Sequence, residues 1–251
     1  MINVTDHDGI RTLMLDRPPV NALNHEVLVA LTAAIEAAPS AGARGLLLTG
    51  SGALFSAGLD VRHVLTLDAA GLRTFLETFF GCLKALVHCP LPVVAALNGA
   101  SPAGGAVLAL CCDYRVMARG TGRIGLNEVQ VGLYPGAFIA DLLVRRVGER
   151  QAGHLLLSGA LLVPEDALSC GLVDELVDAE AVQATALVWL QRCLSAPPQA
   201  FAMTRRLVRQ GVVKASELMD SAALDHLVAA WMAPEARAQL QAVTAKKKPA
   251  P

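Results

Sequence analysis

Charge is scarce in this chain, and nowhere is it concentrated enough to mark a partner. Only 17% of the 251 residues are charged, against 54% hydrophobic, and the formal net charge is −1. So even a balance leaves no electrostatic footprint for nucleic acid. The one charge run, Lys246-Lys247-Lys248 before Pro249-Ala250-Pro251, reads as a solvated tail. Long apolar runs are missing too, so no membrane span is expected. The mean hydropathy of +0.47 is nonetheless high for a soluble monomer. The excess apolar surface points to a buried oligomer interface, a hydrophobic ligand tunnel, or both.

Other absences narrow the chemistry. The segment from Met1 to Asp8 lacks a basic region followed by an apolar one, and it is not Arg-rich, so neither a secretory nor a transit signal is expected. The six cysteines form no Cys-x-x-Cys pair and lie mostly among apolar residues. Free thiols in a reducing, cytoplasmic setting are the simplest reading. The six histidines have no metal-ligand spacing, so no metal is expected. Gly-x-Gly-x-x-Gly is absent, and no phosphate-loop Lys-Ser/Thr follows the glycines.

What is present alternates short β-like runs with helical patterns, which argues for α/β organisation. Arg11 to Leu15 reads as a strand ending at Asp16-Arg17-Pro18-Pro19. Asn24 is a plausible N-cap before a helix with Val27, Leu28, Leu31 and Ile35 on one face. Leu46 to Thr49 and Val93 to Leu97 read as buried strands. Between them, Leu72, Phe75, Leu76, Phe79, Leu83 and Leu86 mark a helix over 69–88. An Ala-Gly step recurs after two apolar strands, at Ala57-Gly58 and Ala103-Gly104, which fits stacked units that each lend a loop to one site. Helical patterns dominate from about 179, with a break at Pro197-Pro198. We therefore expect a core over 1–194 and a C-terminal helical region over 195–251 with a short basic tail.

Two glycine loops carry the readable chemistry. They are Phe55-Ser56-Ala57-Gly58-Leu59-Asp60 and Asn98-Gly99-Ala100-Ser101-Pro102-Ala103-Gly104-Gly105. The second runs into Ala106-Val107-Leu108-Ala109-Leu110, a good helix start, which places the Gly104 N–H at a helix N-terminus. Unpaired N–H groups there favour negative charge. A tight structural turn explains the same residues. Downstream, Glu128 is the lone carboxylate between Ile124 and Pro135. By itself it reads as a base, a surface carboxylate, or a partner of Arg123.

The motifs, taken in order, resemble the crotonase (enoyl-CoA hydratase/isomerase) superfamily. They are Arg17-Pro18 with Asn21-Ala22-Leu23-Asn24, the loop from Phe55 to Asp60, and the run from Pro92 to Gly99. Ala103-Gly104-Gly105, Cys112-Asp113-Tyr114-Arg115 and Gly171-Leu172-Val173-Asp174 follow. Within the superfamily, Pro102-Ala103-Gly104-Gly105 and Ile124-Gly125-Leu126-Asn127-Glu128 are most similar to the mitochondrial-type Δ3,Δ2-enoyl-CoA isomerase (dodecenoyl-CoA isomerase) branch. The resemblance implies a spiral of ββα units, a C-terminal helical trimerisation region, and a homotrimer or hexamer. It implies an acyl-CoA thioester substrate, with coenzyme A as part of the substrate and no separate cofactor. It carries the oxyanion donors onto the backbone N–H groups of Leu59 and Gly104. It also lays the adenine end of CoA along Ser56, Ala57, Leu59 and Asp60, largely through backbone atoms. Asp60 reads equally well as a turn or cap residue.

The number of acids then separates the reactions within the superfamily. Its hydratases use two glutamates, and the first of those positions is Val107 here; only the second, Glu128, remains. Its dienoyl-CoA isomerases add an acid eight residues beyond the second, where this chain has Gly136. The resemblance thus implies one base moving one proton, in a Δ3,Δ2-enoyl-CoA isomerase serving β-oxidation. A hydratase or another single-acid reaction is the nearest alternative, and a catalytically weak acyl-CoA-binding trimer is a further one. Burial among Leu126, Val129 and Val131 would raise the pKa of Glu128. Asn127 either orients Glu128 or shapes the loop. Asp113 is expected to pair with Arg115 or cap a turn, and Asp141 to sit exposed on a helix. Leu59, Phe79, Leu83, Leu133, Tyr134 and Phe138 are candidates for an acyl tunnel or for ordinary core.

Overall fold

The computed structural model describes residues 1–246; the basic tail falls outside them from Lys247 on, as does the side chain of Lys246. The chain opens with an antiparallel pair, β1 (Ile2–His7) and β2 (Ile10–Leu15). Asn24 then caps α1 (His25–Ala37), accepting the Val27 N–H at 3.0 Å, and the expected face of Val27, Leu28, Leu31 and Ile35 is buried. β3 (Gly45–Gly50) lies parallel to β2 and is buried throughout, because helices cover both faces of the sheet. Leu46 and Leu48 face the core under α1, while Leu47 faces the opposite side.

The remaining elements repeat this plan. A short helix α2 (Val61–Val64) precedes α3 (Ala69–His88), and then come β4 (Val93–Leu97), β5 (Ser101–Pro102) and α4 (Gly104–Cys111). β6 (Tyr114–Ala118) and β7 (Ile124–Gly125) lead to α5 (Ala137–Val147), α6 (Glu149–Ser158) and α7 (Pro164–Ser169). β8 (Glu175–Val177) and α8 (Val182–Ser195) close the series. The large sheet runs β1-β2-β3-β4-β6-β8, parallel after its first pair. A second layer is built from single bridges, Leu23 to Leu59 and Leu54 to Ala100, and from the β5 and β7 pair. Each turn of the chain thus contributes one long strand, one short segment and one helix. The architecture is a crotonase-like spiral of ββα units.

The C-terminal helices are α9 (Pro198–Ser216), α10 (Ser221–Met232) and α11 (Pro234–Lys246). They follow the break at Pro197-Pro198 and fold back onto their own chain. α9 packs on α3, α5 and α8, α10 on α3, and α11 on α2 and a 3-10 turn over Glu128–Val131. No helix among the described residues is long and apolar enough to cross a membrane.

One ion-pair expectation changes. Asp113 does not pair with Arg115; its carboxylate accepts the Val93 N–H at 2.8 Å and pairs with Arg205 at 2.9 Å and Arg209 at 2.5 Å, tying the corner after α4 to α9. Arg115 is fully buried beneath the carboxyl end of α4, where it donates to the carbonyls of Ala109 and Cys112 and pairs with Asp174. Arg146 and Arg209 add hydrogen bonds to Cys112 and Cys111. Three guanidiniums therefore satisfy carbonyls at the end of α4 that the helix leaves open, where positive charge is favourable.

Candidate active site

The first glycine loop is held by one side chain. Asn21, buried, donates from Nδ2 to the carbonyls of Ser51, Leu54 and Phe55 at 2.9–3.2 Å and accepts the Arg17 N–H at 3.0 Å. Ser56 Oγ donates to the Asn21 carbonyl at 2.8 Å and accepts the Gly58 N–H at 3.1 Å. Leu23 then takes both neighbours of Leu59: its N–H donates to the Gly58 carbonyl, and its carbonyl accepts the Asp60 N–H. The Leu59 N–H is skipped and has no acceptor among the described residues.

The second loop leaves a matching donor. The Ala103 N–H donates to the Gly125 carbonyl, and the Ala103 carbonyl accepts the Val107 N–H, the first closed turn of α4. Between them the Gly104 N–H has no acceptor among the described residues. Ala103 itself sits at φ 48°, a conformation that costs a non-glycine residue about 1–3 kcal/mol. The two loops touch at glycines. A Cβ added to Gly104 would lie 3.2 Å from Leu59 N, and one added to Gly58 would lie 3.0 Å from Gly104 N. Any side chain at either position would force the two donors apart.

These donors open on an apolar cavity of about 410 Å³. Ala57, Leu59 and Gly104 line it, and Glu128 is the only carboxylate on its wall among the described residues. Glu128 begins the 3-10 turn, and its Oε2 is buried with no hydrogen-bond partner. Burial pushes its pKa above the ordinary value of 4.5, and its own backbone N–H offsets this in part. Arg123 is not its partner; that side chain donates to the Leu161 carbonyl. Of the neighbours expected to desolvate Glu128, Leu126 is buried and Val131 lines the cavity, but Val129 is 47% exposed.

The positions that would carry further acids hold a valine and a positive-φ glycine. Val107 lies on the cavity wall and is 1% exposed. Gly136 has φ 81°, and a Cβ there would meet Leu227 of α10 at 3.4 Å. Ser56 and Asp60 do not line the cavity with their side chains: Ser56 is buried in the loop, and Asp60 pairs with Arg17 at 2.8 Å and caps α2 through the His63 N–H. Asp141 pairs with Arg145 one turn along α5. Asn127 lies on the cavity wall, and its carbonyl accepts the Gln130 N–H that closes the 3-10 turn.

Of the tunnel candidates, Leu59, Phe79, Leu133 and Tyr134 line the cavity. Leu83 and Phe138 do not; both are completely buried in the core, because they lie on helix faces turned away from it. Sequence reasoning missed the lid. Leu227 and Trp231 of α10 and Leu240 and Val243 of α11 close the cavity from the C-terminal region. The signal was available in the i, i+3, i+7 spacing of Leu224, Leu227 and Trp231. The thiols take no part in the site: all six are unpaired, and burial pushes Cys82 and Cys112 up to about 12. No group of three or more His, Cys, Asp or Glu side chains among the described residues is placed to hold a metal ion.

A ββα spiral whose two glycine loops aim free N–H groups into an apolar cavity defines a crotonase-class protein. The chain belongs to the enoyl-CoA hydratase/isomerase family, which matches residues 5–249. It is 35% identical over 205 residues to the mouse protein named enoyl-CoA delta isomerase 1, mitochondrial, covering 80% of this chain and 71% of that one. It is 33% identical over 198 residues to a probable enoyl-CoA hydratase of Mycobacterium avium, covering 78% and 77%. Among solved structures, the human mitochondrial Δ3-Δ2-enoyl-CoA isomerase superposes with a TM-score of 0.93 at 30% identity, covering 98% and 97% of the two chains. An enoyl-CoA hydratase from Bacillus halodurans superposes with a TM-score of 0.88 at 25% identity, covering 96% and 99%.

Proposed function

We propose that the protein is a Δ3,Δ2-enoyl-CoA isomerase, converting 3-enoyl-CoA into trans-2-enoyl-CoA with Glu128 as its single base. The observation that carries this reading is a solitary carboxylate, its Oε2 buried and unpartnered, on the wall of the same apolar cavity as two free backbone donors. The thioester carbonyl accepts hydrogen bonds from the Leu59 and Gly104 N–H groups. Glu128 takes a proton from the α-carbon, the electron pair moves into a dienolate, and the negative charge gathers on the thioester oxygen. The protonated Glu128 returns the proton at the γ-carbon, and the double bond shifts by one position. One oxyanion donor contributes about 3 kcal/mol to such a transition state. A positioned base adds about 10²–10⁴ in rate. Hydration would also need a water to be held and a second proton to be delivered, and the cavity wall offers Val107 where a second acid would stand.

In this reading the adenine end of CoA runs along Ser56, Ala57, Leu59 and Asp60 through their backbone, since the side chains of Ser56 and Asp60 are committed elsewhere. The protein works as a homotrimer or hexamer, supported by the apolar face that α9 exposes at Met203, Leu207 and Val208. We assign it to β-oxidation of unsaturated acyl chains and to a reducing compartment, the cytoplasm, which six unpaired thiols suit. The test is direct. Purified protein should convert 3-hexenoyl-CoA into a conjugated product and leave trans-2-hexenoyl-CoA largely intact. Rapid loss of conjugation from the 2-enoyl thioester would instead identify a hydratase, and binding of both without conversion would identify an acyl-CoA-binding protein.

A further inference from the structure

A second cavity, of about 590 Å³, lies between α4, α5, α8 and α9, borders the proposed subunit face at Val208, and shares no residue with the acyl cavity. The helices α4 and α5 separate the two: α4 shows Val107 to one and Leu110 to the other, and α5 shows Ile139 and Leu142. The wall of the second cavity carries four guanidiniums, Arg145, Arg146, Arg205 and Arg209, and one carboxylate, Asp113. Asp113 is shared between Arg205 and Arg209, and Arg145 pairs outward with Asp141. The buried Arg115 has Asp174. Arg146 has no carboxylate within ion-pair distance among the described residues; its one hydrogen bond goes to the Cys112 carbonyl at 2.8 Å. Five guanidiniums therefore meet three carboxylates. In addition, Arg205 Nη2 and Arg209 Nε are buried with no acceptor.

A guanidinium withdrawn from water without an anion is unfavourable, and a planar fork of N–H donors is the geometry that binds oxyanions. The cost is visible in Arg146, whose pKa falls to about 10 through burial and the neighbouring Arg115 and Arg209. We propose that this cavity is an anion-binding site, separate from the acyl site, that holds a phosphate-sized oxyanion between Arg146 and Arg205. The bound anion would join α5 to α9 and brace the end of α4, whose other end presents the Gly104 N–H.

Titration calorimetry with inorganic phosphate, at constant ionic strength against chloride, tests the site on the full-length protein. The expected result is saturable binding, with a melting temperature that rises with phosphate and not with chloride. Arg146→Gln should weaken binding at least about tenfold, with Arg146→Lys retaining part of it. Arg205→Gln is the second variant, and circular dichroism confirms that each is folded. Absence of saturable binding by the wild type would overturn the proposal, as would unchanged affinity in both Gln variants. A third outcome also overturns it: no phosphate binding, together with a lower oligomeric mass for Arg146→Gln, would mean that a carboxylate of a second copy meets the charge.

Discussion

Burial makes the charge of Glu128 less favourable, and that sets its pH behaviour. Its pKa is raised by burial, so the acid limb of kcat/KM should lie above the ordinary glutamate value of 4.5, where a pH profile locates it. The stability consequence has the opposite sense to that of a salt-bridged acid. The native state binds the proton more tightly than the unfolded chain, so stability falls as pH rises from the unfolded pKa through the raised folded one. Glu128→Gln should therefore melt at the same temperature as wild type at low pH, and at an equal or higher one at pH 7. At Gly104, replacement by Ala places a Cβ 3.2 Å from Leu59 N and should lower kcat by about a hundredfold, with KM much less affected. The residue types of this site were legible in the sequence, but their surroundings were only partly so. Val129 was expected to help desolvate Glu128, and it points outward because the segment is a 3-10 turn.

At the scale of elements, strong periodicity told most. The face of α3 from Leu72 to Leu86, the capped start of α1 and the buried strands β3 and β4 stand where their patterns placed them. β1 was not legible, because five of its six residues are exposed and it is held mainly by pairing with β2. The two-residue strands β5 and β7 were too short to carry an alternation, although they set the position of Ala103. The ion pairs of Asp113 with α9 span more than ninety residues of sequence, and no local pattern announces them. The lid formed by α10 and α11 is the element most open to test. Trp231→Ala should destabilise the protein by about 3 kcal/mol in urea denaturation. It should also enlarge the cavity, shifting kcat/KM in favour of longer acyl chains.

Across the whole molecule, the high hydropathy divides between two uses. Part of it lines the apolar cavity at Glu128, and part lies exposed on α9, where Met203 is 62%, Leu207 65% and Val208 77% accessible in the single chain. Leu207→Asp should place a charge in the proposed subunit interface and lower the mass seen by light scattering, while leaving the fold intact by circular dichroism. The spiral brings Gly58, Gly104 and Glu128 together from three successive units, which is why a proposed site spread over seventy residues of sequence gathers at one cavity. The claim that one carboxylate does the chemistry is tested most directly by the rate at which Glu128→Gln forms conjugated product from 3-hexenoyl-CoA. The expected rate is about 10²–10⁴ below wild type, with the substrate still bound. Turnover equal to wild type would contradict it.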